Sequence, residues 1–355
     1  MHEPIDIQPQ IREEKPMLHK RIAASLIGIA LPLSGLLIVP SSGAAQSFEF
    51  ITINVPCSSC PSGIAPRTTT YSINPAGDIV GAYLDTGGVQ HGYLFSGGVF
   101  TTIDPPDSIS TTARGINPRG DIVGQYTIPV SSAPLSDPAH YCPAAGSPAC
   151  IKGFLYSHGK FSTVLFPGHP GAIPGHITPD GSMYGCLHDF DLMGSMYSAA
   201  WTRFGDTSLA ANGGELSDPT MSYPNSMHGS ATPSGEVIVG FYTDMMDNHL
   251  HGYILRNGTL QTYDYPDSTS TNIWDINPEE DFVGGYTDHA QKSHGFLQLR
   301  DGSAPITLDY HDENIATVKS TTALGMNPEG AIVGNYTDTA GHVHGYLATP
   351  VHGNH

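Results

Sequence analysis

The chain has 355 residues, with 41 glycines, 29 prolines, 39% apolar content and a formal net charge of −19. That length can fill one large repeat domain or two ordinary ones, and the Gly and Pro content suits many short strands joined by turns. With 14 Lys and Arg against 33 Asp and Glu, a nucleic-acid binder is excluded, because such a protein needs a basic surface to displace counterions.

Residues 1–45 read as a targeting segment. Lys20-Arg21 precede an apolar run from Ile22 to Pro40, and Ser41-Ser42-Gly43-Ala44-Ala45 offers small residues for cleavage. Met17 is an alternative start that gives a signal peptide of ordinary length. Pro32, Ser34 and Gly35 interrupt the run, which argues against a membrane anchor. The segment carries four acidic and four basic side chains, so the remainder keeps the full charge of −19. A secreted or periplasmic monomer is expected, without a membrane span after cleavage. Its acidic surface suits solubility, cation attraction or neutral ligands.

There are five cysteines. Cys57-x-x-Cys60 could be a redox or zinc pair, but no second such pair follows and no strand-to-helix pattern surrounds it. In an exported protein two short loop staples are expected, Cys57–Cys60 and Cys142–Cys150, with Cys186 outside both. No metal site is assigned, and the sequence names no cofactor.

The decisive feature is an internal repeat. Ser72-Ile-Asn-Pro-Ala-Gly-Asp-Ile-Val-Gly81 recurs as Gly115-Ile-Asn-Pro-Arg-Gly-Asp-Ile-Val-Gly124, then more weakly from His176 to Gly185 and from Ser230 to Gly240. The last copies are Asp275 to Gly284 and Gly325 to Gly334. Their turn residues Asn74, Asn117, Thr178, Thr232, Asn277 and Asn327 are spaced by 43, 61, 54, 45 and 50 residues. Each copy splits into four short strands. Strand A ends at the Asn/Thr-Pro turn, where proline fixes φ and glycine permits the reversal. Strand B is Ile-Val-Gly-x-Tyr, strand C carries His-Gly-Tyr/Phe-Leu, and strand D alternates, as in Val99-Phe-Thr-Thr-Ile-Asp104.

Four strands in such a unit is the size of a propeller blade. The last copy stops after strand C at Leu347-Ala-Thr-Pro350, and Phe48 to Pro56 is an orphan D-like strand. The expected fold is therefore all-β: a six-bladed β-propeller of four-stranded blades over residues 46–350, its ring closed by the N-terminal strand, with residues 351–355 as a tail.

Asn-Pro-x-Gly-Asp-Ile-Val-Gly-x-Tyr, followed by His-Gly-Phe/Tyr-Leu and a Phe-x-Thr-x-Asp strand, resembles the HAF-type extracellular repeat family of bacteria. The resemblance covers roughly residues 48–350 and is degenerate in the third copy, where Ala199-Ala200-Trp201 replaces His-Gly-Tyr. It implies an exported, propeller-like protein and no particular chemistry.

The most regular polar feature pairs the Asp of Tyr-x-Asp with the strand C histidine: Asp85/His91, Asp244/His251, Asp288/His294 and Asp338/His344. An Asp-oriented histidine suits a base or a metal ligand, but four repeats of it suit a structural hydrogen bond better. The long insertions, 127–151, 188–198 and 212–226, all fall in B–C or D–A connections, together with Cys57 to Arg67, which marks one face for binding.

Departures from the repeat near the end of strand A place Arg114, His176, His228, Trp274 and Asp275 near the channel. His176, His228 and Asp275 are the acid–base candidates, and Arg114 and Trp274 suit sugar or carboxylate ligands. His188 and Asp189 form a further candidate cluster for a cation or a proton transfer. No nucleophile elbow, phosphate loop, His-Glu-x-x-His or calcium loop occurs. Three functions stand open: binding of a glycan or cell-surface ligand through the loop-rich face, carbohydrate hydrolysis or elimination at the channel mouth, and a protein-interaction module. Convergence of Arg114, His176, His228 and Asp275 in one pocket would favour the enzyme.

Overall fold

The computed structural model describes residues 46–129, 149–164, 171–188, 196–201, 226–244, 247–257, 259–312 and 317–351. After β1 (Ser47–Ile53), the first copy folds as β2 (Arg67–Ile73), β3 (Ile79–Leu84), β4 (Gln90–Ser96) and β5 (Val99–Ile103). The second gives β6 (Ser110–Ile116), β7 (Ile122–Pro129), β8 (Ala149–Ser157) and β9 (Lys160–Val164), and the third β10 (Gly171–Ile177), β11 (Met183–His188) and β12 (Met196–Trp201). The fourth gives β13 (Ser226–Ala231), β14 (Val237–Thr243), β15 (Leu250–Arg256) and β16 (Thr259–Tyr263). The fifth gives β17 (Ser270–Ile276), β18 (Phe282–Thr287), β19 (Ser293–Gln298) and β20 (Ile306–Leu308), and the sixth β21 (Ser320–Met326), β22 (Ile332–Thr337) and β23 (Val343–Val351).

Every copy is an antiparallel sheet in chain order. Five sheets have four strands, and the third copy's sheet has three among the described residues; the stretch from 202 to 225, where its last strand is expected, lies outside them. The first strands of the copies touch in a circle, β2 to β6 to β10 to β13 to β17 to β21 and back to β2. The sheets thus surround one axis in a propeller arrangement, with these strands innermost. β1 completes the last sheet, pairing with β23 from Ser47 opposite Val351 to Ile53 opposite Gly345.

The repeated Ile-Val of strand B explains how the sheets hold together. Adjacent strand residues point to opposite faces, so the first packs on the preceding sheet and the second on the following one. Ile122 packs with Val80 and Ala113 between the first two sheets, and Ile79 packs with Ile53 and Val333 where the last sheet meets the first. All of these except Ile53 are at most 1% exposed, and Ile53 is 7% exposed. The strand C aromatics Tyr93, Phe154, Phe296 and Tyr346 are fully buried. Each such side chain contributes roughly 1.5–3 kcal/mol.

The A–B turns form a collar. Asn74 Oδ1 accepts from Asp78 N at 2.9 Å and Gly77 N donates to Asn74 O at 3.0 Å, with Gly77 at φ 83°, which glycine adopts without steric cost. The Asn amide also reaches the next turn: Asn327 Nδ2 donates to Asn74 O, Asn74 Nδ2 to Asn117 O and Asn117 Nδ2 to Thr178 O, each at 3.4 Å.

Candidate functional site

Each innermost strand carries a β-bulge near its end. The register skips between Thr70 and Ser72, Ala113 and Gly115, Pro174 and His176, His228 and Ser230, Ile273 and Asp275, and Ala323 and Gly325. The glycine of Ile-Val-Gly on the facing strand is what accommodates it. A Cβ on Gly81 would lie 2.0 Å from Thr69 O, and one on Gly124 2.1 Å from Thr112 O. Gly185, Gly284 and Gly334 are pressed in the same way, at 2.0 Å. The strand A carbonyl occupies the place of a side chain, the strand kinks, and the skipped residue is re-aimed.

The skipped residues are Tyr71, Arg114, Gly175, Gly229, Trp274 and Leu324. All but Gly229 line one cavity at the centre of the ring, together with His176, Asp275 and Cys186. Each of these skipped residues stands three positions before the Asn or Thr of an A–B turn, so the cavity lies near the turns. It offers about 40 Å³ to the centre of a water-sized sphere, and one water needs roughly 10–15 Å³ on that measure. A few waters or a small functional group fit; a whole sugar ring does not. Gly175 opens one side of it, since among the described residues a Cβ there would meet nothing nearer than Tyr184 O at 3.8 Å.

Arg114 stands over the Tyr71 ring, its guanidinium carbon 5.4 Å from the centroid, a cation–π contact. Its Nε–H is buried and has no hydrogen-bond partner among the described residues. Across the cavity Ser230 Oγ lies 3.0 Å from His176 Nδ1, and Asp275 Oδ1 is 3.7 Å from the same nitrogen. Asp275 accepts from Ile276 N at 3.0 Å and from Met326 N at 2.8 Å, so its oxygens tie β17 to β21. Burial pushes His176 below the usual histidine range against the pull of Asp275's charge, and pushes Asp275 above the usual carboxylate range. Burial also pushes the Cys186 thiol up to about 11, with Arg114 nearby opposing, so it is no thiolate at neutral pH. Trp274 packs against Phe241, ring centroids 4.9 Å apart.

Of the residues singled out in the sequence, Arg114, His176, Trp274 and Asp275 are therefore brought together. His228 lies on β13 opposite Gly240, but its side chain, that of His188, and the whole of Asp189 lie outside the described residues.

The histidine pairs sit elsewhere, at the B–C connections. His91 Nε2 is 3.5 Å from Asp85, His294 Nε2 3.3 Å from Asp288 and His344 Nε2 3.4 Å from Asp338. In the fourth sheet a second aspartate joins the pair: His251 Nε2 faces Asp247 at 3.3 Å, and a carboxylate oxygen of Asp244 lies within 4.8 Å of the ligand atoms of both, in a connection one residue longer than the others. A further partner is missing from the sequence reading. The other ring nitrogen, Nδ1, meets Asp104 at 2.6 Å, Asp264 at 2.9 Å, Asp309 at 2.9 Å and Asn54 at 3.0 Å in the respective sheets. Each of these residues immediately follows a D-like strand, so the recurrent Asp of Phe-x-Thr-x-Asp was the available signal. The strand B tyrosine stacks on each ring, as Tyr83 does on His91 at 5.1 Å. Burial works against the charged forms of His91 and His251, yet the flanking carboxylates, Asp104 and Asp264 foremost, raise both above the usual histidine range.

A disulfide joins Cys57 and Cys60, as expected, and Cys186 is a buried thiol. The Cys142–Cys150 pairing and most of the long insertions lie outside the described residues. No helix among the described residues is long and apolar enough to cross a membrane.

No family model and no curated protein sequence matches the chain. Among solved structures it is similar to TolB from Acinetobacter baumannii, at 12% identity and a TM-score of 0.45 over 80% of this chain and 63% of that one. The chain thus spans just under two thirds of TolB's length. It is also similar to an Aleuria aurantia lectin crystallised with Fucalpha1-6GlcNAc, at 9% identity and a TM-score of 0.43 over 80% and 94%. A Trypanosoma rangeli sialidase follows at 8% identity and a TM-score of 0.47 over 86% and 60%. Similarity of this size carries no functional weight.

Proposed function

We propose that the chain is an exported, six-bladed β-propeller of the HAF-repeat kind that binds a ligand, and that a carboxylate or comparable small anionic group of that ligand enters the central cavity. The observation that carries this reading is Arg114: a guanidinium re-aimed by a bulge into the cavity, with a buried Nε–H that no described residue satisfies. Leaving such a donor unmade costs roughly 1–3 kcal/mol, and a planar carboxylate is the group an arginine fork fits best. The His176–Ser230–Asp275 side can supply a further donor from Ser230 or the imidazole. The cavity's size limits entry to the anionic group, so the rest of the ligand is met at the rim.

Binding of a glycan or cell-surface component through the opposite, loop-rich face is the second reading. It is favoured by the chain order: the stretches 130–148 and 189–195 each fall between a second strand and a third.

The test is thermal unfolding with small carboxylates, acidic sugars and neutral oligosaccharides, every mixture being checked for products by mass spectrometry. A ligand at a hundred times its Kd stabilises by about 2.7 kcal/mol. Acidic compounds should raise the melting temperature of the wild type, but not of Arg114→Met or of Gly175→Leu, which fills the opening. A response to neutral glycans that both variants retain would move binding to the loop-rich face. A product lost in His176→Ala would make the protein an enzyme.

A further inference from the structure

The B–C connection of the last sheet adds a third donor to the repeated pair. Asp338 follows β22, and His342 and His344 follow it in the pattern Asp-x-x-x-His-x-His. Asp338 Oδ1 is held by the backbone, accepting from Gly341 N at 2.7 Å and His342 N at 2.8 Å. Its Oδ2 is left facing two imidazoles, His342 Nδ1 at 3.1 Å and His344 Nε2 at 3.4 Å. One ligand atom from each of the three residues falls within 4.8 Å of the others. We propose that Asp338, His342 and His344 form a binding site for a divalent transition-metal ion, zinc being the best fit.

Three features support this. The first is size. With metal–nitrogen and metal–oxygen bonds of roughly 2.0–2.2 Å, two ligands of a tetrahedral zinc lie about 3.3 Å apart, and 3.1 and 3.4 Å match that edge. The second is the outer partner of His344. In the first, fourth and fifth sheets the equivalent histidine lies between two carboxylates. In the last sheet Asn54 replaces one of them, its Oδ1 accepting from Nδ1 at 3.0 Å. An outer hydrogen bond at Nδ1 leaves Nε2 to serve as the ligand atom, the arrangement typical of metal-bound histidines. Tyr336, stacked at 5.0 Å, holds the ring plane.

The third is the repeat itself, which provides built-in controls. The first and fifth sheets keep the Asp and the histidine, but Val89 and Lys292 stand where His342 does. Valine offers no donor, and lysine brings its own cation, with Nζ 3.5 Å from Asp309. His342 is therefore unnecessary to the strand connection. Two imidazoles and one carboxylate suit zinc and neighbouring d-block ions; calcium and magnesium prefer all-oxygen sets. The side chain of His342 is 64% exposed, so the fourth position faces solvent.

The experiment compares metal-stripped wild type with His342→Val and His342→Lys by calorimetric titration with zinc and by cobalt absorption. Both substitutions copy residues that other sheets already use at this position, so unchanged folding is expected. Wild type should take up one more equivalent of zinc than either variant, show a cobalt spectrum of tetrahedral intensity that both lose, and gain melting temperature on zinc addition. The second acidic cluster, Asp244, Asp247 and His251, is common to all three proteins and cancels in the comparison. Equal zinc uptake by the three overturns the proposal, as does preference for calcium over zinc in the wild type.

Discussion

Substituting Gly124 by alanine tests whether the strand B glycine makes the bulge possible. The added Cβ would lie 2.1 Å from Thr112 O, 3.0 Å from the Phe154 ring and 3.1 Å from Ala113 Cα. A relaxed carbon–oxygen contact is about 3.3 Å, so β6 and β7 must part by roughly 1.2 Å at that point. The obstacle is backbone, which cannot rotate aside as a side chain can. Overpacking of this kind costs typically 1–3 kcal/mol and at times more, and we expect about 3 kcal/mol or more here. In a domain of this size that is a fall in Tm of roughly 6 °C. Gly175→Ala is the matched control, because among the described residues its Cβ meets nothing nearer than 3.8 Å and Gly175 is not among the positive-φ glycines. Fewer unfolded conformations should make that variant stable by about 0.4–1 kcal/mol more than wild type. Urea unfolding of both proteins gives the comparison. Equal effects, or a neutral Gly124→Ala, would refute the link between the repeated glycine and the bulge that places Arg114.

Ring closure is tested on β1. Ile53 is 7% exposed and packs between the last and first sheets, whereas Ile51 is 51% exposed. Ile53→Ala should cost about 2–5 kcal/mol and Ile51→Ala should be near neutral, by urea unfolding; similar losses would contradict the closure. The histidine pairs carry a pH signature. The folded pKa of His91 is raised above an unfolded value of about 6.5. The stabilisation is therefore complete below that value and fades as pH rises through the folded one. Asp104→Asn, which copies Asn54 of the last sheet, removes the foremost cause. With a chelator present, its loss in melting temperature should be larger at pH 5.5 than at pH 8.5, and a constant difference would argue against the His91–Asp104 ion pair.

The repeat made the architecture legible because its signals are local. Asn-Pro-x-Gly marks a reversal, Ile-Val a strand buried on both faces, and the orphan strand from Phe48 pairs with β23 as its pattern implies. The central site was legible only as a set of odd residues. Arg114, His176, Trp274 and Asp275 stood out against the repeat, but their meeting depends on how neighbouring sheets pack. The role of Asp275 was less accessible still, since Met326 N, to which it binds, is 51 residues away. Asp247 was missed for a different reason: the connection is one residue longer, and alignment of the copies pointed to Asp244 alone.

The collar of turns is uneven, and that has a consequence for how the ring breathes. Amide-to-carbonyl links run from Asn327 through Asn74 and Asn117 to Thr178, and Arg119 adds a contact to Pro179 O. Threonine at 178 and 232 turns inward instead, Thr178 Oγ1 to Asp180 at 2.5 Å and Thr232 Oγ1 to Val237 O at 3.4 Å. Among the described residues the clasp thus spans the arc from the sixth copy to the third, which contains both chain ends; the steps from the third copy round to the sixth lack it, and since Asp275 ties β17 to β21, the arc of the third and fourth copies is the least fastened. Amide exchange should be fastest along that arc, on the side of the ring away from the termini. Gly175 and Gly229 are the bulge residues of that arc, so the least fastened part of the rim borders the opening of the cavity, where small fluctuations admit solvent or ligand without parting β1 from β23.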